Sequence, residues 1–127
     1  MKKILILTII LLNSIISYSQ SSFQRGYEMS VGLREEVTDT VVWIIENKET
    51  DVLIAYDTDK ITIFSGKTQI YRNIKPLLSN EQTSTWLMVD NDGGKCHVEF
   101  GIYSEKKIMY LKIEYIDTII IYLTKPN

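Results

Sequence analysis

The 127-residue sequence has few of the residues that form disulfides, bind metals or interrupt secondary structure: one cysteine, one histidine and two prolines. A single cysteine excludes a disulfide within the chain, so the apolar core has to stabilise the fold alone. No G-x-S-x-G element surrounds a serine, and neither G-x-x-x-x-G-K-[ST] nor G-x-G-x-x-G occurs. These absences predict a protein that is not an enzyme and needs no cofactor.

Long apolar runs are also missing, except at the N-terminus. Met1–Lys3 is basic, Ile4–Leu12 is apolar apart from Thr8, and Ser17–Ser19 has the small-x-small pattern of a cleavage site. We predict a signal peptide over residues 1–19, followed by one domain over residues 20–127. An uncleaved membrane anchor is the alternative, but the run is shorter than the roughly 20 residues that a span requires. The expected location is the periplasm, the outer surface or the extracellular space, as in an exported bacterial protein.

Excess positive charge is absent as well. Residues 20–127 carry 12 basic and 16 acidic side chains, which gives a net charge of −4. A nucleic-acid partner requires a basic footprint, so this balance argues against one. No apolar run after residue 19 approaches the length of a membrane span.

What the sequence does contain is alternation of apolar and polar residues. In Arg25–Arg34 every second residue is apolar, which is typical of a half-buried strand. Gly32 and the lack of three-four spacing argue against a helix over Glu28–Val37. Short runs rich in Val, Ile, Thr, Tyr and Phe follow at 40–46, 52–57, 60–65, 68–74, 84–90, 95–103, 107–115 and 118–124. Connections this short join antiparallel neighbours, so we predict an all-β meander of eight or nine strands that forms a small barrel or a sandwich.

One stretch breaks the alternation. Lys75–Thr83 contains Pro76, which is expected to end the preceding strand. The sequence from Pro76 to Glu81 is compatible with one helical turn. We predict at most one short helix, near residues 76–82.

The stretch Asp90–Phe100 (DNDGGKCHVEF) resembles the start of an EF-hand loop. The resemblance ends at its twelfth position, where Gly101 stands in place of the bidentate glutamate. Residues Asn91–Gly94 instead supply the positive φ angles of a tight hairpin turn, and we predict a turn between two strands. Asp90, Asp92 and Asp117 are weak candidates for a cation site, because alternating turns bring them to one end of a meander, opposite the turn at Asp57 and Asp59.

Cys96 and His97 are adjacent, so in a strand they face opposite sides of the sheet and cannot form a thiolate–imidazole pair. Zinc needs three or four ligands, and this pair does not begin such a site. We predict a buried, unreactive thiol, with a reactive or intermolecularly bonded cysteine as the alternative. His97 is predicted to be exposed. Carboxylate-pair catalysis stays open, since several aspartates lie near turns.

Residues 20–127 contain seven tyrosines, two tryptophans and three phenylalanines. If Ile61, Ile63, Ile70 and Ile74 face the core, Phe64 and Tyr71 face outward. The same parity argument places Tyr110 outside, and Thr118–Thr124 is apolar on both faces. The four candidates for an interaction surface are Phe64, Tyr71, Tyr110 and Tyr122.

Two functions fit this pattern. The first is a non-enzymatic interaction module that binds a protein of the envelope or the extracellular space. The alternative is a small lipocalin-like carrier of an apolar ligand, although a G-x-W motif is absent from the start of the domain. A carrier requires a cavity of roughly 300 Å³ or more, so the packing of the inward side chains distinguishes the two.

Overall fold

The fold is seen in a computed structural model that describes residues 22–35, 37–103, 105 and 107–127. The predicted signal peptide lies outside these residues. Eight antiparallel strands follow one another in a meander, and β1 pairs with β8 to close a barrel. The strands are β1 (Ser22–Arg34), β2 (Val41–Tyr56), β3 (Lys60–Phe64), β4 (Gln69–Ser79), β5 (Thr83–Val89), β6 (Lys95–Tyr103), β7 (Ile108–Glu114) and β8 (Thr118–Pro126). The all-β prediction is confirmed, and the barrel is the form adopted.

The barrel interior is filled at mid-height by aliphatic side chains from β2, β3, β6 and β7. Ile54, Ile63, Val98, Leu111 and Ile113 are each 0% exposed. Full burial of such a side chain contributes about 1.5–3 kcal/mol through the hydrophobic effect. Because strand residues alternate between faces, these five fix the inward parity of their strands. An eight-stranded barrel has room for little else at this level.

The long strand β2 joins two segments that the sequence pattern separates, 40–46 and 52–57. The polar residues between them remain paired with β1, through Glu49 opposite Glu28 and Lys48 opposite Met29. Asn47 has a positive φ of 51°, and the register with β1 shifts on both sides of Val31. These irregularities are β-bulges, which bend a strand without ending it. The polar run is therefore a bend within one strand.

The predicted short helix near 76–82 does not form. Residues 74–79 continue β4 and pair with β5, with Pro76 opposite Trp86 and Ser79 opposite Ser84. Proline is tolerated because β3 pairs with β4 only from Gln69 to Arg72, so this part of β4 is an edge that needs no N–H at residue 76. Two register shifts, beside Ile74 and Leu77, absorb the distortion.

Among the described residues, no helix is long and apolar enough to cross a membrane.

Candidate functional site

The two ends of the barrel differ in how they are filled. One end carries the turns at 57–59 and 80–82 together with the start of β1, and we call it the open end. The other carries the turns at 65–68, 90–94 and 115–117, and we call it the closed end. The predicted grouping of the aspartates is confirmed, with Asp90, Asp92 and Asp117 at the closed end and Asp57 and Asp59 at the open end.

The closed end is filled by tyrosines and their polar partners. Tyr71 and Tyr122 are each 3% exposed and belong to the core cluster. The Tyr71 hydroxyl donates a 2.7 Å hydrogen bond to Gln69 Oε1, and the Tyr115 hydroxyl donates one of 2.6 Å to Asp90 Oδ2. Buried phenols need such partners, and these bonds close this end with polar groups that are satisfied.

The open end contains a cavity of about 440 Å³. Its size exceeds the roughly 300 Å³ that small-molecule sites require. The side chains on its apolar wall come from β2, β3, β5, β6 and β7: Tyr56, Ile61, Trp86, Met88, Phe100 and Met109. The interior side chains are densely packed at mid-height of the barrel, as expected from the sequence, but they do not fill the open end.

Aromatic rings supply much of this wall. The rings of Tyr56 and Phe100 lie 5.6 Å apart between centroids and are tilted by 60°. Trp86 and Phe100 pack against the core cluster from the cavity side. Aromatic surfaces of this kind bind apolar and planar groups through large contact areas at low entropic cost.

The β4–β5 hairpin closes one side of the cavity. Its turn is held by Asn80 Oδ1, which accepts hydrogen bonds from the N–H groups of Gln82 (2.8 Å) and Thr83 (2.9 Å). The Gln82 carbonyl then accepts a 3.0 Å hydrogen bond from the Ile102 N–H. A Cβ atom on Gly101 would lie 2.3 Å from that carbonyl oxygen, so only glycine lets the hairpin approach β6 this closely.

Two buried polar atoms in the cavity wall have no hydrogen-bond partner within the described part of the chain: Tyr56 Oη and Asn73 Oδ1. Asn73 Nδ2 donates to the Thr58 carbonyl at 3.0 Å. That carbonyl only accepts, so the amide orientation is fixed and Oδ1 is the acceptor left over. Burial raises the pKa of the Tyr56 hydroxyl above its ordinary value. A buried unsatisfied group costs about 1–3 kcal/mol, so these two atoms lower the stability of the barrel near its open end.

The charge at the cavity mouth is negative. Asp57 and Glu81 are among the lining residues, and no Lys, Arg or His is found among the described residues that line it.

The turn at Asp90–Gly94 is the hairpin turn that the sequence predicts. Asp90 Oδ1 accepts hydrogen bonds from the N–H groups of Asp92 (3.0 Å) and Gly94 (2.7 Å), and Gly93 has a φ of 85°. The bond from Tyr115, followed by those from backbone N–H groups, holds the pKa of the Asp90 carboxyl below its ordinary value. The carboxylate is thus engaged in holding the turn. In the described ranges no three His, Cys, Asp or Glu side chains are close enough to hold a metal ion.

The predicted faces of Cys96 and His97 are confirmed. Cys96 is 3% exposed, and desolvation raises the pKa of its thiol to about 11. His97 is exposed on the other face. The thiolate is the reactive form, so burial and the raised pKa both favour the predicted unreactive thiol over the reactive alternative.

The four residues predicted to form an interaction surface differ in their exposure. Phe64 faces outward and is 47% exposed, but Tyr71 and Tyr122 face the interior, so their outward assignment was wrong. Tyr71 faces inward because it lies directly opposite the core residue Ile61, and residues opposite each other on paired strands point to the same side of the sheet. Tyr110 does lie on the outer face, opposite Gly101, yet it is only 5% exposed.

Tyr110 is covered because Tyr103 stacks on it, with ring centroids 4.3 Å apart and an angle of 21° between the planes. Its hydroxyl donates a 2.5 Å hydrogen bond to Glu99 Oε2. Ile121 and Leu123, on the outer face of β8, are half-buried and line a groove together with Trp43 and Tyr103. The apolar outer face of β8 is therefore only partly exposed.

The sequence reading did not single out Tyr56, Asn73 or Trp86. A signal for Tyr56 was present, since it shares parity with Val52 and Ile54 in the run VLIAY. Asn73 lies two residues after Tyr71 and faces the same side of β4. The sequence pattern assigned both to the outer face, because polar residues at alternate positions normally indicate the solvent face.

Compared with known protein families, curated proteins and solved structures, the chain matches none of them.

Proposed function

We propose that the protein is a non-enzymatic carrier that holds one small apolar molecule in the cavity at the open end of the barrel. The observation that carries this proposal is the cavity itself, about 440 Å³ with an aromatic and methionine-containing wall. Small-molecule sites combine such a wall with a few polar groups that orient the ligand. Gln24, Asn80 and Ser84 are polar residues among those that line the cavity. The predicted signal peptide supports action outside the cytoplasm.

A fluorescent apolar probe tests this proposal. N-phenyl-1-naphthylamine gains fluorescence in an apolar site, and we expect saturable binding of one probe per chain. Ser84→Phe adds a ring to a residue that lines the cavity, and we expect it to weaken binding at least tenfold. Thr68→Phe adds the same ring at an exposed turn of the closed end and is the matched control. A folded protein without saturable probe binding contradicts the proposal.

A second candidate is the interaction module, and the edge of β2 is the feature that favours it. β3 pairs with β2 only from Leu53 to Tyr56, so in the described sheet the first half of β2 has β1 as its one neighbour. Val42 is 50% exposed and Ile44 is 60% exposed on this edge. An exposed apolar edge accepts an extended strand from another protein. The partner is then an envelope or extracellular protein that adds one strand.

The edge is tested with charged variants. This candidate is supported if the wild-type chain captures an envelope protein and Ile44→Lys does not. Ile116→Lys is the control and should retain capture, because Ile116 is 88% exposed but lies in the β7–β8 turn, away from this edge. Bound partner is also expected to protect the amides of residues 41–46 from hydrogen exchange. Capture that Ile44→Lys leaves unchanged contradicts it.

A further inference from the structure

The cavity ends against packed core side chains, and these set how far a ligand can enter. This inference rests on the proposed carrier function and asks what size and shape of molecule the cavity holds. Met88 of β5 and Ile61 of β3 line the cavity. They also belong to the core cluster and are only 2% and 3% exposed. We call these two side chains the floor of the cavity.

The layer beyond the floor is filled. On β3, Ile63 lies two residues closer to the closed end than Ile61, on the same face, and is 0% exposed. On β6, Val98 stands in the same relation to the lining residue Phe100 and is also 0% exposed. Interiors packed in this way contain few voids larger than a water molecule. A ligand in the cavity therefore reaches no further than the floor.

The depth of the cavity follows from β5, where Ser84, Trp86 and Met88 all line it. Ser84 lies beside the β4–β5 turn at the open end. From Ser84 to Met88 the strand covers about 13 Å, which is about 10 Å along the axis of a barrel whose strands tilt by about 35–45°. An extended alkyl chain advances by roughly 1.3 Å per carbon, because its bonds are about 1.5 Å long. The cavity is therefore deep enough for about eight carbons of such a chain.

The same cavity extends across the barrel. Its volume is about 440 Å³, and its lining reaches from Gln24 on β1 to Met109 on β7. A wide and shallow space fits ring systems and short alkyl groups. A long chain either coils inside it, which costs conformational entropy, or leaves its far end in water.

We propose that the cavity selects compact apolar molecules, with an extended length of up to about eight carbons, and that Met88 and Ile61 set this limit. The carbons of a long acyl chain that extend beyond the mouth add nothing to its affinity, because they bury no apolar surface.

Straight-chain alcohols from butanol to dodecanol, each below its solubility limit, test the length limit by displacing the naphthylamine probe. Each buried CH2 group should tighten binding about fourfold up to about octanol. For longer alcohols we expect the gain to fall below about twofold per CH2, since the added carbons stay in water. A gain that stays near fourfold up to dodecanol overturns the length limit and leaves the carrier function intact.

Two variants test the assignment of the floor. Met88→Ala removes the side chain beyond Cβ and leaves a space that the barrel refills only in part, so the limit should move to alcohols about two carbons longer. Ile61→Val removes one methyl group, disturbs the fold less, and should increase the gain from octanol to nonanol. The matched controls are Met29→Ala and Ile120→Val, because both residues pack against the core cluster without lining the cavity. Neither control should move the limit.

The outcomes separate the two proposals. A limit that is unchanged in both Met88→Ala and Ile61→Val, or that moves equally in the two controls, overturns the assignment of the floor. Probe binding that no alcohol displaces overturns the length limit alone. Failure of the probe and of every alcohol to bind the folded wild-type protein overturns the carrier function and the length limit together.

Discussion

Asp90 and Tyr115 join two neighbouring turns of the closed end through a 2.6 Å hydrogen bond from the phenol to the carboxylate. Asp90 opens the β5–β6 turn, and Tyr115 follows directly after β7. One side chain thus holds its own turn through backbone N–H groups and anchors a second turn through Tyr115. This arrangement makes Asp90 a structural residue, although its sequence context resembles a cation loop.

Tyr115→Phe is expected to destabilise the protein by about 1 kcal/mol, since it removes a hydrogen bond to a charged group. The pKa of Asp90 is lowered in the folded state, so its contribution to stability is present above its unfolded pKa of about 4. That contribution is lost as the pH falls through the folded pKa. Urea unfolding of both proteins between pH 7 and pH 2 measures the difference, which should shrink at low pH. NMR titration should show the Asp90 pKa rising in Tyr115→Phe and unchanged in the control Tyr110→Phe.

Gly101→Ala is expected to destabilise the protein by about 1–3 kcal/mol, the usual cost of overpacking. The added Cβ would meet the Gln82 carbonyl oxygen at 2.3 Å and the Thr83 Cα at 3.0 Å, both in backbone that cannot rotate away. Gly66→Ala is the matched control, because nothing lies within 4 Å of its Cβ position. Thermal unfolding of the two variants gives the comparison. Equal stability of Gly101→Ala and wild type would show that the hairpin does not need this contact.

Ile54→Ala is expected to cost about 2–5 kcal/mol, because it leaves a hole in a tightly packed interior. Ile54 is 0% exposed, whereas Ile116 is 88% exposed. The same substitution at Ile116 should stay within about 0.5 kcal/mol. Chemical denaturation measures both values. Similar losses at the two positions would contradict the assignment of Ile54 to the centre of the core.

Cys96 is expected to resist thiol reagents in the folded protein. Burial raises the pKa of its thiol to about 11, so very little thiolate is expected at pH 8. The residue is also only 3% exposed, which limits access of the reagent. A colorimetric disulfide reagent should react with it slowly in buffer and at once in strong denaturant. Rapid reaction in buffer would restore the alternative of a reactive or intermolecularly bonded cysteine.

Much of the architecture can be predicted from the sequence because period-two alternation and short turns leave few other folds. The hairpin at Asp90–Gly94 and the opposite faces of Cys96 and His97 follow from local chemistry alone. The run TQIYRNI shows where this reasoning fails. Its isoleucines, Ile70 and Ile74, were placed inside, yet Tyr71 and Asn73 occupy the interior positions.

The physical reason is that the ends of a small barrel are not purely apolar. At the closed end Tyr71 finds a hydrogen-bond partner in Gln69, and at the open end Asn73 contacts the β2–β3 turn. Polar residues can therefore face the interior of the barrel here, so the apolar residues of the alternating pattern face outward instead. Bulges add to the difficulty, because each one reverses the face of the residues that follow it. The cavity could not be predicted, since it depends on where the packed layers end.

The shortness of β3 has a mechanical consequence. It makes four residue pairs with each neighbour, whereas β1 makes eleven with β2. The β2–β3–β4 seam is thus the weakest line of the wall, and local opening should begin there at lower free energy than global unfolding. Ile61 and Tyr56 line the cavity from either side of this seam. For the proposed carrier function, we expect a bulky ligand to enter through the side of the barrel where this seam opens, while the strands away from the seam stay paired.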